Sequence, residues 1–260
     1  MPRFDANLSM MFPELEPALR FQAARDAGFT ACEYLRPYGH TVAEMKQWLA
    51  DAQLQLVLIN SPVGAQGERG LGALPGRQAD FREAVDQALE YATSLGAAMV
   101  HVLAGVVPED ANRQEYEETF VANLKEVAPV AKARGVALLL EPLNQQDNPG
   151  YLHSTTAQAC RIIEATGSDN VFLQYDLYHL QIMQGNLVTN LEPLLPVVRH
   201  MQFSSVPGRH EPQFGEVNLP YVFDQVDALG YSGWMGCEYN PKGATLDGLS
   251  AWGKPYGLGA

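Results

Sequence analysis

Glu141, Asp176, Gln202 and Glu238 each stand in or at the end of a short, mostly apolar run. The clearest is residues 136–144, which read Val-Ala-Leu-Leu-Leu-Glu-Pro-Leu-Asn. Five apolar residues in a row suit a strand buried on both faces, as in a parallel sheet. Pro142 cannot donate to a sheet ladder, so the strand should stop with the Glu141 carboxylate at its C-terminal end. Parallel α/β folds carry their chemistry at that end. The same reasoning gives a strand over 171–175 ending in Asp176, one over 200–203 carrying Gln202, and one over 235–239 ending near Glu238. Three carboxylates and an amide oxygen on one rim form a hard, all-oxygen set that suits Mg²⁺ or Mn²⁺ better than zinc or copper. Without a cation, carboxylates so placed repel and raise one another's pKa values. The bland alternative is four unrelated polar residues at loop entrances.

Two further groups fall beside these strand ends. His179 follows Asp176 by three residues and is read as lying on the emerging loop. Arg209, in Pro207-Gly-Arg-His-Glu-Pro212, follows the Gln202 run and offers a fork suited to a carboxylate or hydroxyls. A lone histidine or arginine in a loop is more often simply solvated. His101 sits inside an apolar run and reads as a core histidine, while Glu33 fits either the barrel interior or its mouth. Phe21, Trp48 and Met99 read as core by their spacing, and core is also the safer reading of Trp234 and Trp252.

The elements that must position these residues alternate between strand and helix eight times. Strands are expected over 4–8, 30–35, 54–59 and 98–103, followed by the four described above. Helices are expected over 13–27, closed by Gly28; from Thr41 through Leu49, with Glu44 completing a capping box; over 78–95, closed by Gly96; and over 113–134, which Pro129 should kink or split. Others are expected over 154–166, over 190–198 with breaks at Pro193 and Pro196, and over 220–229. Residues 64–76 form a long glycine-rich loop on the strand-exit side, and 242–260 look too irregular for a full closing helix. With no internal repeat or linker, this order predicts an α/β protein, a single (β/α)₈ TIM barrel over residues 1–260. The length of 260 residues is close to the usual size of one such barrel.

Composition narrows the partners. A net charge of −13 disfavours a polyanion, so nucleic acid is not expected. The three cysteines, Cys32, Cys160 and Cys237, are far apart and read as small core residues in a reducing compartment. No basic stretch followed by a long apolar run opens the sequence, and no segment reaches membrane-span length, so a cytoplasmic protein without membrane contact is expected. A homo-oligomer is left open.

Glu141-Pro-Leu-Asn144, the run from Gln174 to His179, His200-Met-Gln-Phe203, the Pro207 to Pro212 loop and Gly236-Cys-Glu-Tyr239 together resemble the hydroxypyruvate isomerase family of xylose isomerase-like barrels. The likeness runs from Phe4 to about Tyr239, and the Pro-Gly-Arg-His-Glu-Pro loop is its most specific part. The resemblance implies a divalent cation, Mg²⁺ or Mn²⁺, held by Glu141, Asp176, Gln202 and Glu238. It makes Glu141 and Glu238 the catalytic pair, and gives His179 and Arg209 the holding of substrate oxygens. Related ketose 3-epimerases usually carry histidine where Gln202 stands, which favours the hydroxypyruvate isomerase branch. The implied reaction interconverts hydroxypyruvate and tartronate semialdehyde through an enediolate, with isomerisation of 2-oxo-tetronates or ketose 3-epimerisation as the alternative. A DNA phosphodiesterase resembling endonuclease IV is disfavoured by six histidines, few at strand ends, and by the acidic charge. A catalytically silent sugar-acid binding protein is the remaining rival.

Overall fold

In a computed structural model, which describes residues 1–259, eight parallel strands close into a barrel in sequence order. They are β1 (Arg3–Asn7), β2 (Ala31–Glu33), β3 (Gln55–Asn60), β4 (Met99–His101), β5 (Ala137–Leu140), β6 (Val171–Asp176), β7 (Val198–Phe203) and β8 (Trp234–Cys237). Closure comes from β1 lying parallel to β8, with Arg3 opposite Trp234 and Ala6 opposite Cys237. Around the barrel run α1 (Pro17–Asp26), α2 (Val42–Ala52), α3 (Gln78–Leu95), α4 (Arg113–Ala133), α5 (Thr156–Thr166), α6 (Leu177–Met183), α7 (Leu187–Leu191), α8 (Leu219–Ala228) and α9 (Thr245–Trp252). Among the described residues, no helix is long and apolar enough to cross a membrane.

Local chemistry explains most boundaries. Thr41 and Glu44 form the expected capping box at the start of α2, and Thr155 forms a second one with Gln158 at α5. Gly96 ends α3 in the left-handed region, at φ 76°. Pro129 does not split α4: it lies on the exposed face, where water can take the carbonyl its missing N–H leaves free. Helix α1 begins four residues later than its pattern suggests, at Pro17, because a proline fits best in a first turn. The tail is more regular than expected, since α9 packs Trp252 edge-on against Phe4 and Phe203, with centroids 5.4 and 5.5 Å away. Gly28 is needed where the tail crosses α1, because a Cβ there would lie 2.4 Å from the Gly257 carbonyl oxygen. The three cysteines are free, with Cys32 and Cys237 buried.

Candidate active site

The C-terminal ends of the strands bring the sequence-predicted residues together. Glu141 follows β5 directly and Glu238 follows β8, while Asp176 and Gln202 close β6 and approach the end of β7 as register partners. All four are buried. Glu141 and Glu238 line a cavity of about 500 Å³ with His101, His179 and Arg209.

Asp176 is fixed by its position. Its Oδ1 accepts the Tyr178 backbone N–H at 2.9 Å, capping α6, so Oδ2 is left facing the site. His179 therefore lies in the first turns of a helix and not on a loop, a correction that the capping role of Asp176 explains. The Asn144 backbone N–H donates to His179 Nδ1 at 3.2 Å, and the Asn144 side-chain amide lies 2.7 Å from the same nitrogen. Burial, with Arg209 and His101 nearby, holds the imidazole well below its usual pKa and hence neutral. With Nδ1 accepting, the proton sits on Nε2, which points at Asp176 Oδ2 (3.5 Å) and Glu141 Oε1 (3.7 Å). His179 is thus a hydrogen-bond donor into the cavity.

Arg209 is held from above by a tight turn. Its backbone adopts φ 55°, its N–H donates to the Ser205 carbonyl at 3.0 Å, and its own carbonyl accepts the Asn240 N–H at 2.8 Å. The guanidinium turns inward, where Nη2 hydrogen-bonds Glu238 Oε2 and lies 3.6 Å from Asp176 Oδ2, while the group covers the Tyr178 ring. These carboxylates hold its pKa above the usual arginine value despite burial.

Beneath Glu238 lies a polar floor. Glu33 is fully buried inside the barrel: Oε1 accepts Asn7 Nδ2 (2.8 Å) and Gln202 Nε2 (2.9 Å), and Oε2 lies 2.9 Å from His200 Nε2. A carboxylate only accepts, so both amides must present their NH₂ to it. Asn7 also reaches Glu238 Oε1 at 3.4 Å, and Gln202 turns its oxygen away to accept Gln174 Nε2. Gly236 makes room for Glu33, since a Cβ there would lie 2.6 Å from Oε1. Asp5 lies below, close enough to Glu33 and His200 that one ligand atom of each falls within 4.8 Å of the others.

Burial dominates the electrostatics. It pushes Glu238 up to about 8, Asp176 and Glu33 adding to the rise and Arg209 opposing it. It pushes Glu141 well above the carboxylate range, helped by Glu238 and Asp176, and raises Asp176 against the pull of Arg209. Glu141 Oε1 and Asp176 Oδ2 are buried without a hydrogen-bond partner. Orphaned oxygens on crowded carboxylates are of the kind a hard divalent cation would take, and Glu141 and Asp176 supply them here. Gln202 keeps one lone pair on an oxygen already used by Gln174. Glu141, Asp176 and His179 form a geometric cluster, but the Nε2–H tautomer leaves His179 no free lone pair on that side.

His101 lies buried in its strand, as expected of a core histidine, and also lines the cavity. It ends β4 at the cavity, with Nδ1 3.1 Å from Glu141 Oε2, and burial followed by His153 lowers its pKa to about 3. His153, buried beside Phe120 and Tyr151, was missed altogether. Trp234 begins β8 at the far end of the barrel from the cavity, and Trp252 is core.

Comparison with known proteins agrees with this arrangement. The chain is 46% identical to a 2-oxo-tetronate isomerase of Cupriavidus necator, over 98% of this chain and 99% of that one. It is also 46% identical to a human protein named putative hydroxypyruvate isomerase, over 98% of this chain and 95% of the other. A crystal structure from Brucella melitensis, described as an AP endonuclease of family 2, superposes with a TM-score of 0.95 at 43% identity, covering 98% and 99% of the two chains. The model of the xylose isomerase-like TIM barrel family matches residues 21–255. Closed barrel, strand-end carboxylates and full-length likeness converge: the chain belongs to the xylose isomerase-like TIM barrel family and is an enzyme of the isomerase class.

Proposed function

We propose that the protein moves a carbonyl between neighbouring carbons of a short oxo acid, interconverting hydroxypyruvate and tartronate semialdehyde through an enediolate. The observation that carries this reading is the pair of buried carboxylates, Glu141 and Glu238, on the wall of one cavity with Arg209 and His179 between their strands. One glutamate takes a proton from the hydroxymethyl carbon. The electron pair left behind forms the carbon–carbon double bond, and the old carbonyl oxygen takes the negative charge. The other glutamate returns a proton to the former carbonyl carbon, and the hydroxyl proton passes between the two oxygens. Burial favours the protonated form of Glu238 when no cation is bound, whereas a cation beside it would hold the carboxylate ionised and free to accept a proton. The Nε2–H of His179 and the guanidinium of Arg209 hold the two substrate oxygens and oppose the enediolate charge. A divalent cation on Glu141, Asp176 and Glu238, Mg²⁺ or Mn²⁺ by its oxygen donors, would polarise the carbonyl and acidify the neighbouring C–H.

A 2-oxo-tetronate is the second reading, favoured by the full-length identity to the Cupriavidus enzyme. Both are small acids with the same reacting unit, and a cavity of about 500 Å³ admits either. The test is turnover in D₂O followed by proton NMR. The wild type should convert hydroxypyruvate or a 2-oxo-tetronate and place solvent deuterium on the product carbon. Glu141→Gln and Glu238→Gln should each lose on the order of 10²- to 10⁴-fold in rate. Undiminished activity in both variants, or no turnover of either acid by the wild type with Mg²⁺ or Mn²⁺, would overturn the reading.

A further inference from the structure

Glu141, Asp176 and Glu238 crowd the reaction centre, and the one cation among them, Arg209, is already bonded to Glu238 and sits 3.6 Å from Asp176. The hydroxyl and carbonyl oxygens of the reacting carbons take the places beside His179 and Arg209, whose guanidinium is already in use, so the substrate carboxylate needs a place of its own. It must point away from β5 and β6, toward the opposite wall of the cavity. That wall is built by the loops after β2 and β3, and β2 lies four strands from β6 in the eight-stranded ring, diametrically across it. It presents two arginines, Arg36 and Arg69, to the same cavity. Arg69 is committed, its Nη1 donating to the Asp147 carbonyl at 2.8 Å and to the Asn148 side chain. Glu68 beside it is neutralised by Arg77 at 2.7 Å. Arg36 makes no side-chain hydrogen bond or ion pair among the described residues, although the turn at Pro37–Gly39 and the strand β2 fix its backbone on both sides.

We propose that Arg36 is the carboxylate anchor of the substrate site, receiving the acid group of a short 2-oxo acid while its hydroxy-carbonyl end turns toward Glu141 and Glu238. This rests on the oxo-acid reading above and adds to it a residue that separates acids from neutral ketoses. A guanidinium offers two parallel N–H donors to a carboxylate, and an unpartnered one gives up no protein contact to do so. Arg209 is then reserved for the reacting oxygens. In a neutral ketose the same position carries a hydroxymethyl group, which gains little from the fork.

The experiment pairs kinetics with binding on the protein as isolated. Arg36 is exposed, so Arg36→Met and Arg36→Lys leave the fold alone. For hydroxypyruvate, Arg36→Met should raise KM about 10- to 100-fold with a smaller change in kcat, and Arg36→Lys should keep part of the loss back. The unreactive acid D-glycerate, titrated by calorimetry, should bind the wild type and lose about tenfold or more in affinity to Arg36→Met. Equal KM and equal glycerate affinity in wild type and Arg36→Met would overturn the proposal even if the enzyme isomerises oxo acids. Conversely, glycerate binding that depends on Arg36, in a protein that turns over neither hydroxypyruvate nor a 2-oxo-tetronate, would keep the anchor and reject the reaction.

Discussion

Replacing Glu238 with glutamine should cost activity and add stability, and the sign of the second effect should depend on pH. In the metal-free protein the Glu238 carboxyl is held at about 8 against an ordinary 4.5. A carboxyl raised in this way stabilises the fold fully below about pH 4.5, and that contribution is lost as pH climbs toward 8. At about pH 7.5 the gap of three pH units corresponds to about 4 kcal/mol of folding free energy forgone. Glutamine has the same shape and no charge to bury. It offers one oxygen where the carboxylate offers two, so either Arg209 or Asn7 would face an amide NH₂. That mismatch costs about 1–3 kcal/mol. The net gain at about pH 7.5 is about 1–3 kcal/mol, or roughly 3–10 °C in Tm for a chain of this size. Near pH 5 the gain has vanished and only the lost hydrogen bond remains, so the two stability curves should cross. Thermal unfolding of both proteins in EDTA, from about pH 5 to about pH 8.5, reads this directly. A difference in Tm that does not change with pH, or a variant less stable than wild type at pH 8, would refute the electrostatic account of this site.

Three further outcomes follow from neighbouring contacts. Gly236→Ala would drive a methyl group to within 2.6 Å of Glu33 Oε1, and should destabilise the protein by about 1–3 kcal/mol in a denaturant titration, since Glu33 is held by Asn7, Gln202 and His200; an unchanged midpoint would mean that this floor is not rigid. Asp176→Ala should weaken Mn²⁺ binding by about tenfold or more in calorimetry, and equal affinity would exclude Asp176 as a donor. Arg209→Lys keeps the charge but loses the fork between Glu238 and Asp176, and steady-state assays should show kcat/KM down by about 10- to 100-fold.

The barrel was legible because its strands are apolar runs with abrupt polar ends, a pattern that local spacing carries. Glu141, Asp176 and Glu238 were found by that rule alone. At His101 the run continues through Val102 and Leu103 and so hides the point where β4 stops. The floor was beyond reach for a different reason. In a strand buried on both faces, nothing in the alternation says which residues point into the barrel, so Glu33, Asn7 and His200 could not be joined on paper. The orientation of Gln202 is likewise a long-range matter, decided by a carboxylate 169 positions away in the chain. Asp176 was recognised as a strand end but not as the cap of α6, because a residue that finishes a strand seldom starts a helix in the next position.

The pairing of β1 with β8 has a meaning for how the molecule comes into being. During synthesis β1 emerges first and waits, one edge open, until Trp234–Cys237 leaves the ribosome more than two hundred residues later. The contact between Asn7 and Glu238 straddles that seam, so a nascent chain holds Glu141 and Asp176 long before it holds a supported Glu238. Competence arrives with the final zipper of the barrel, and slow closure should register in cells as temperature-sensitive yield before it registers as a change in the finished enzyme.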